Sequence, residues 1–421
     1  MSLPLSLVCY RAVSALAAPL APVWLRRRAG RGKEDSVRWR EKLGETAASR
    51  PAGRLAWLHG VSVGESLSLL PLVERLRAER PGVAVLVTSG TRTSGELLAQ
   101  RLPIGAIHQY APLDTPGAVR RFLEHWRPEL AVFVESELWP NLIFAAKARG
   151  VSLALVSARL SRGSVRAWMR APSAAHALLA AFDLILARDA EAAESLVQLG
   201  ARIDGVADLK LGAAPLPVDE AELARLRGAL RDRPVILAAS THPGEEALVL
   251  ERFAAVRGGP DPLLIIAPRH VERGAAVVEL ALARGLNAVA RSDAREPSDE
   301  DVYVADTVGE LGLWLRIARV VFLGASLVPG LGGHNPLEPA RLGCPIVSGD
   351  KVENWPIYQE LARRGGVVLI DRPEQLDGGF RDAITAPGRL EAMADIARAY
   401  VAERDAEAEA AIGRVVALAP P

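Results

Sequence analysis

The sequence predicts an α/β protein built from two doubly wound, Rossmann-like domains, preceded by an apolar helix at the N-terminus. Three observations predict it. Short apolar runs alternate with longer amphipathic stretches through most of the chain. The alternation occurs twice, on either side of a Gly- and Pro-containing stretch at 211–217, and the first 25 residues carry a single charged side chain, Arg11. Runs of four or five apolar residues read as buried strands, the stretches between them as crossover helices, and two such series as two parallel sheets.

The first element is the N-terminal one, residues 1–28. Residues 3–25 are largely apolar and are interrupted by Arg11 and by Pro4, Pro19 and Pro22. As a helix they would reach roughly 34 Å at about 1.5 Å per residue, enough to span or dip into a bilayer. Arg26, Arg27, Arg28, Arg31 and Lys33 follow directly. Basic residues on that flank predict that the remainder lies on the cytoplasmic face of a membrane. A cleaved signal peptide would carry its positive charge before the apolar run, and none stands there. A buried amphipathic helix is the alternative.

A first domain over 29–210 contains strands at 55–58, 83–87, 130–134 and 153–156, separated by helices at 67–80, 95–102, 117–125 and 142–149. Residues 211–217 (LGAAPLP) form the linker. A second domain over 218–421 repeats the pattern with strands at 235–239, 263–267, 302–305, 320–323 and 345–347, and 377–420 reads as helical. Two such domains facing a cleft suit a ligand held at the C-terminal ends of both sheets, a layout shared by enzymes and binding proteins alike.

Composition removes several classes of function. The 421 residues are 50% hydrophobic, so each domain can bury a core, and 51 basic against 50 acidic residues leave a formal charge of +1. No global field points to nucleic acid. Cys9 and Cys344 are too few for a disulfide framework or a thiolate metal site. No His/Cys/Asp cluster has metal-ligand spacing and no nucleotide fingerprint appears, so neither metal nor cofactor is expected.

Four stretches carry candidate chemistry. His59-Gly60-Val61-Ser62-Val63-Gly64-Glu65 follows a strand and opens a helix. Ser62 and Glu65 have the spacing of a capping box; the same carboxylate could also take a proton from an acceptor hydroxyl. Phe133-Val134-Glu135-Ser136-Glu137-Leu138-Trp139-Pro140-Asn141 ends a strand in two carboxylates, which serve either a ligand or a helix start. Pro268-Arg269-His270 puts a guanidinium at a strand end, where it suits a phosphate. Leu331 to Pro339 (LGGHNPLEP) combines two glycines, a capping Asn335 and Pro336 at a helix start. Free amides there would bind an anion, or the stretch is simply a well-capped helix.

In order along nearly the whole chain, HGVSVGE, ESELWPN, SARLSRGS (157–164), STHPGEE (240–246), APRH, DTVGEL (306–311) and GGHNPLEPA resemble the bacterial 3-deoxy-D-manno-octulosonic acid (Kdo) transferases. The resemblance implies a GT-B fold, with the acceptor on the N-terminal domain and CMP-Kdo on the C-terminal one. It implies an inverting, metal-independent transfer of Kdo to lipid IVA, the lipid A precursor, at the cytoplasmic leaflet of the bacterial inner membrane. Glu65 would be the general base, and Glu135 and Lys210 would stabilise the transition state. Pro268, Arg269, Val308, Gly309, Glu310, Asn335, Pro336, Leu337 and Glu338 would contact CMP. Arg38, Arg40 and Lys42, with Arg166 and Arg170 near Trp168, are candidates for the acceptor's phosphates, because Lys and Arg pair with phosphate and Trp favours a membrane interface. The chain departs from the family pattern where Ser157 replaces a usual Asn and Val308 a usual Met. Its segment at Lys210 reads GVADLKLG. Another GT-B nucleotide-sugar transferase or epimerase, or a non-catalytic membrane-tethered binding protein, would share the scaffold.

Overall fold

The computed structural model describes residues 3–212, 215–258 and 261–420, so positions 213 and 214 of the expected linker lie outside the described residues. The chain divides into two compact units, Met1–Ala213 with Arg404–Pro421, and Ala214–Glu403.

In the first unit the strands are β1 (Arg54–His59), β2 (Val83–Ser89), β3 (Ile107–Tyr110), β4 (Leu130–Val134), β5 (Ser152–Ala158), β6 (Leu184–Ala187) and β7 (Gly205–Val206). They pair in parallel in the order β3-β2-β1-β4-β5-β6-β7. Strand β1 explains why the apolar run carries no polar alternation. Its Leu55 and Trp57 join a core with Phe122, Trp126 and Phe133 on one face. Its Ala56 and Leu58 join a core with Val85, Val87, Val132 and Val134 on the other. A parallel sheet covered on both sides needs hydrophobic side chains on both.

The second unit repeats the plan with β8 (Val235–Thr241), β9 (Leu263–Pro268), β10 (Ala288–Ala290), β11 (Val302–Val304), β12 (Val320–Leu323), β13 (Ile346–Gly349) and β14 (Val368–Ile370). Their order is β10-β11-β9-β8-β12-β13-β14, again all parallel. In each sheet the winding reverses beside its first strand: between β1 and β4, and between β8 and β12. Crevices at such reversals, outside the C-terminal ends of the strands, are where open α/β sheets bind ligands.

Two features differ from the sequence reading. Residues 218–421 read as one C-terminal domain, but the 32-residue helix Pro387–Leu418 leaves the second unit, and its last turns bury Ala411, Ile412, Val415 and Val416 in the first unit's core. An Ala-rich helix with apolar residues spread around it does not reveal which body it covers. Strands β3, β6, β7, β10 and β14 are additional. Most are edge or near-edge strands of two to four residues, too short to display a period.

At the N-terminus, α1 (Leu5–Ala17) runs through a 3₁₀ turn, Ala18–Leu20, into α2 (Ala21–Ala29). Leu5–Ala29 is one apolar helical stretch long enough to cross a membrane.

Candidate active site

Glu135 stands one residue beyond β4 with φ of 57°, a left-handed conformation that costs a non-glycine residue about 1–2 kcal/mol. What holds it there is charge. Its buried carboxylate accepts a hydrogen bond from Arg159 Nε at 2.7 Å and another from Lys210 Nζ. Burial alone would raise its pKa, but the two cations and their hydrogen bonds hold it below the usual carboxylate range. Arg159, inside SARLSRGS, was not singled out from the sequence; its position just after β5, next to β4, would have been the signal.

Lys210 arrives by a second strained strand end. Ser157, at the end of β5, has φ of 49°, and its hydroxyl accepts from Leu209 N at 2.9 Å, which anchors the segment bearing Lys210. Asn tolerates this conformation better than Ser, which gives the family's usual residue a conformational reason. Lys210 also passes close to the first motif: a Cβ on Gly64 would lie 3.4 Å from its ammonium nitrogen. The structure thereby brings Glu135, Lys210 and the Glu65 turn together.

Glu65 is buried in the first turn of helix Val63–Ser68. One carboxylate oxygen accepts from Val61 N at 2.7 Å, the other from Ser62 Oγ at 2.6 Å, while Ser62 Oγ caps Glu65 N at 3.3 Å. The capping geometry is therefore present, and it holds the carboxylate in a single orientation. Gly60 permits it, since a Cβ there would meet Glu65 Cβ at 3.0 Å. In the same unit Thr88 Oγ1 lies 2.9 Å from His59 Nδ1, His59 Nε2 is buried without a hydrogen bond 3.5 Å from Glu137 Oε2, and the exposed Trp139 donates its Nε1 to that same oxygen.

The five candidate phosphate ligands separate into two kinds. Arg38 is bound to Glu41 and to the carbonyl of His108; Lys42 is buried against Glu34 and the carbonyl of Gly90. Arg40 pairs with Glu45. Arg166 and Arg170 are exposed on and just after helix Arg162–Trp168.

In the second unit the candidate residues gather at strand ends. Pro268 closes β9, and Arg269 beyond it is exposed, its backbone N–H donating to Thr241 O at 3.0 Å. After β11, Gly309 has φ of 90° and Val308 is 84% exposed, a protruding tip beside Glu310. Glu310 accepts from Arg291 at 2.8 and 3.2 Å and from Thr307; burial opposes ionisation, but these donors keep its pKa low. After β12, Asn335 Oδ1 accepts from Leu337 N at 3.0 Å, and helix Leu337–Arg341 is only five residues long. Pro336 therefore precedes that helix rather than opening it. Burial raises the pKa of Glu338, against the lowering contacts of Asn335, Arg341 and Arg269.

Two features of this unit had no sequence-level assignment. Glu245, fully buried, accepts from the backbone N–H of His242, Ala325, Ser326 and Leu327 at 2.7–3.1 Å and so shapes the turn after β12. His242 stacks on His334, ring centroids 5.6 Å apart, and meets His270 edge-on at 5.8 Å. Burial, then His242 and Arg269, push the His334 pKa down. Among the described residues no group of three or more His, Cys, Asp or Glu could hold a metal.

Residues 37–212 match the family model described as 3-deoxy-D-manno-octulosonic-acid transferase (kdotransferase). The 3-deoxy-D-manno-octulosonic acid transferase of Bordetella pertussis is 36% identical over 402 residues, 91% of this chain and 93% of that protein. A probable mitochondrial enzyme of the same name from Arabidopsis thaliana is 34% identical over 362 residues, 82% of this chain and 80% of that one. Among solved structures, UDP-GlcNAc 2-epimerase from Neisseria meningitidis superposes with a TM-score of 0.57 at 15% identity, covering 86% of this chain and 99% of that one. MurG from Acinetobacter baumannii gives 0.54 at 10%, covering 86% and 99%. At these identities the two structural likenesses establish the fold, two parallel-sheet α/β domains of GT-B type.

Proposed function

The chain belongs to the 3-deoxy-D-manno-octulosonic acid transferase family and is a glycosyltransferase, and from that premise we propose that it transfers Kdo from CMP-Kdo to lipid IVA, with inversion, at the cytoplasmic face of the inner membrane. The observation that carries the reading is the Glu65, Glu135 and Lys210 constellation at the winding reversal of the first sheet. In this scheme an acceptor hydroxyl gives its proton to Glu65, and its oxygen bonds to the anomeric carbon of Kdo. The bond from that carbon to the CMP phosphate oxygen breaks, and CMP leaves with the electron pair. Lys210, held by Glu135, supplies positive charge fixed before the reaction begins, which needs no reorganisation as charge develops.

CMP falls to the second unit. Arg269 offers the phosphate an exposed guanidinium, which makes no salt bridge among the described residues and lies close enough to Glu338 to lower its pKa. Pro268, Val308, Gly309, Glu310 and the Asn335, Pro336, Leu337 and Glu338 run are assigned to the rest of CMP. Of the cations assigned to the acceptor's phosphates, Arg166 and Arg170 are the open ones; Arg38 and Lys42 already satisfy internal carboxylates. The test is incubation with CMP-Kdo and tetra-acylated lipid A precursor, products read by mass. A mass gain of one or more Kdo units with release of CMP is the expected result. Turnover of a UDP-sugar in its place would favour the epimerase-like alternative.

A further inference from the structure

The N-terminal helical stretch, read from sequence as spanning or dipping into a membrane, touches the first unit along one side, with one buried residue near each end. Its less exposed positions are Pro4, Leu7, Ser14, Ala18, Ala21, Pro22, Leu25, Arg28 and Ala29, with Leu7 and Leu25 buried. Steps of three or four residues, with one step of seven between Leu7 and Ser14, put these on one side of a helix. That side is fastened by polar contacts. Tyr10 OH donates to Asp114 Oδ2 at 2.9 Å, and Asn141 Nδ2 donates to Ser14 Oγ at 2.9 Å. Asp114 in turn accepts from the backbone of Asn141 and Leu142 at 3.0 and 2.8 Å. Arg28, in the last turn of α2, and Lys42 both pair with the buried Glu34.

The opposite face is apolar and open. Leu5, Val8, Val13, Leu16, Leu20, Val23 and Trp24 are all exposed, and Arg26 and Arg27 stand at the end of the same side. A helix crossing a bilayer would have to withdraw the packed side from the globular unit and carry Tyr10, Ser14 and Arg11 into hydrocarbon, where unsatisfied polar groups are costly.

We propose that Leu5–Ala29 lies in the plane of an anionic bilayer, docked along one side to the catalytic unit and sunk into the lipid along the other. The proposal rests on the membrane reading above and sharpens it. The occupant is a lipid surface because the exposed apolar face ends in Arg26, Arg27, Arg31 and Lys33, which complement anionic headgroups. Asn141 lies in the Trp139-Pro140-Asn141 turn that follows Glu135 and Glu137, so the clamp fixes that strand end at the membrane surface.

The two topologies put residue 3 on different sides. In a Cys9→Ser background, Leu3→Cys and, as reference, Ser49→Cys in an exposed loop of the same unit are treated with a membrane-impermeant maleimide in inside-out and right-side-out vesicles. Labelling of both positions from the same side is expected; labelling of residue 3 only from the opposite side overturns the proposal. A second arm uses purified full-length protein and phosphatidylglycerol-containing vesicles, with phosphatidylcholine alone as control. Leu16→Asp with Leu20→Asp should cost about 10-fold or more in vesicle binding at unchanged melting temperature. Unimpaired vesicle binding by the double variant would sink the assigned face. Neither arm reads Kdo transfer, so failure of the donor or acceptor assignment would leave both results standing.

Discussion

The strand ends of the two units solve opposite problems. In the first unit the candidate groups are already paired: Glu135 with Arg159 and Lys210, Glu65 with its own turn. In the second, Arg269 is exposed, Val308 protrudes, and His334 Nε2 is buried with no hydrogen-bond partner. A pre-paired site can hold charge in place through a reaction, and an unpaired one can lower its energy by taking a ligand. Both stand on strained backbone. Glu135 and Ser157 in the first unit, and Ser240 and Ala325 in the second, are non-glycine residues with φ between 49° and 57° at or just beyond strand ends. In both units the fold spends local conformational energy where ligands are expected.

Glu65→Gln tests the first half of that comparison with the largest expected effect. Gln keeps an acceptor for Val61 N and a group that can meet Ser62 Oγ, so the turn and melting temperature should hold. Transfer should fall by roughly 10²–10⁴-fold with CMP binding unchanged. Near-normal transfer by the folded variant would reduce Glu65 to a cap and move the base to Glu135 or Glu137.

Glu245→Ala tests the second half. Removing one carboxylate strands four backbone donors, those of Ala325 and Ser326 buried and those of His242 and Leu327 part-buried, a loss of about 3–5 kcal/mol. Melting temperature and CMP affinity should fall together, since the turn after β12 leads into the Asn335 to Glu338 run. A stable variant with normal CMP affinity would mean the turn is shaped by something else.

The smallest effect concerns pH. Glu135 has its folded pKa lowered, so its pairing contributes stability fully above the ordinary carboxylate value of about 4.5 and loses it as pH falls through the lowered one. Lys210→Met leaves only Arg159 as partner, which raises that pKa. The acid limb of a melting-temperature profile should then begin at higher pH than in the unaltered protein. An unmoved limb would show that Lys210 does not hold the Glu135 charge.

Much of this was legible because parallel strands buried on both faces must be apolar throughout. Runs such as Leu130–Val134 and Val320–Leu323 therefore stand out between amphipathic stretches. Three of the four candidate motifs, those at His59–Glu65, Phe133–Asn141 and Pro268–His270, were legible for a related reason, since each stands at the end of such a run. Arg159 and Glu245 were not, because an Arg after a strand and a Glu at a helix start are common. Their meaning depends on which strand lies next door.

By itself the sequence determined the two αβ series, the apolar N-terminal stretch with its basic flank, and the order of motifs that places the chain in its family. These are local properties, set by hydrophobic period and residue type over a few turns of chain. Only the tertiary structure decided that Lys210 reaches Glu135 across 75 positions and that the last helix covers the first unit. The same holds for Leu7, Ser14 and Leu25, which turn toward the first unit while Leu16 and Leu20 turn away. Those outcomes depend on strand order and on which surface is left uncovered once the sheets have formed, and no window of sequence contains either.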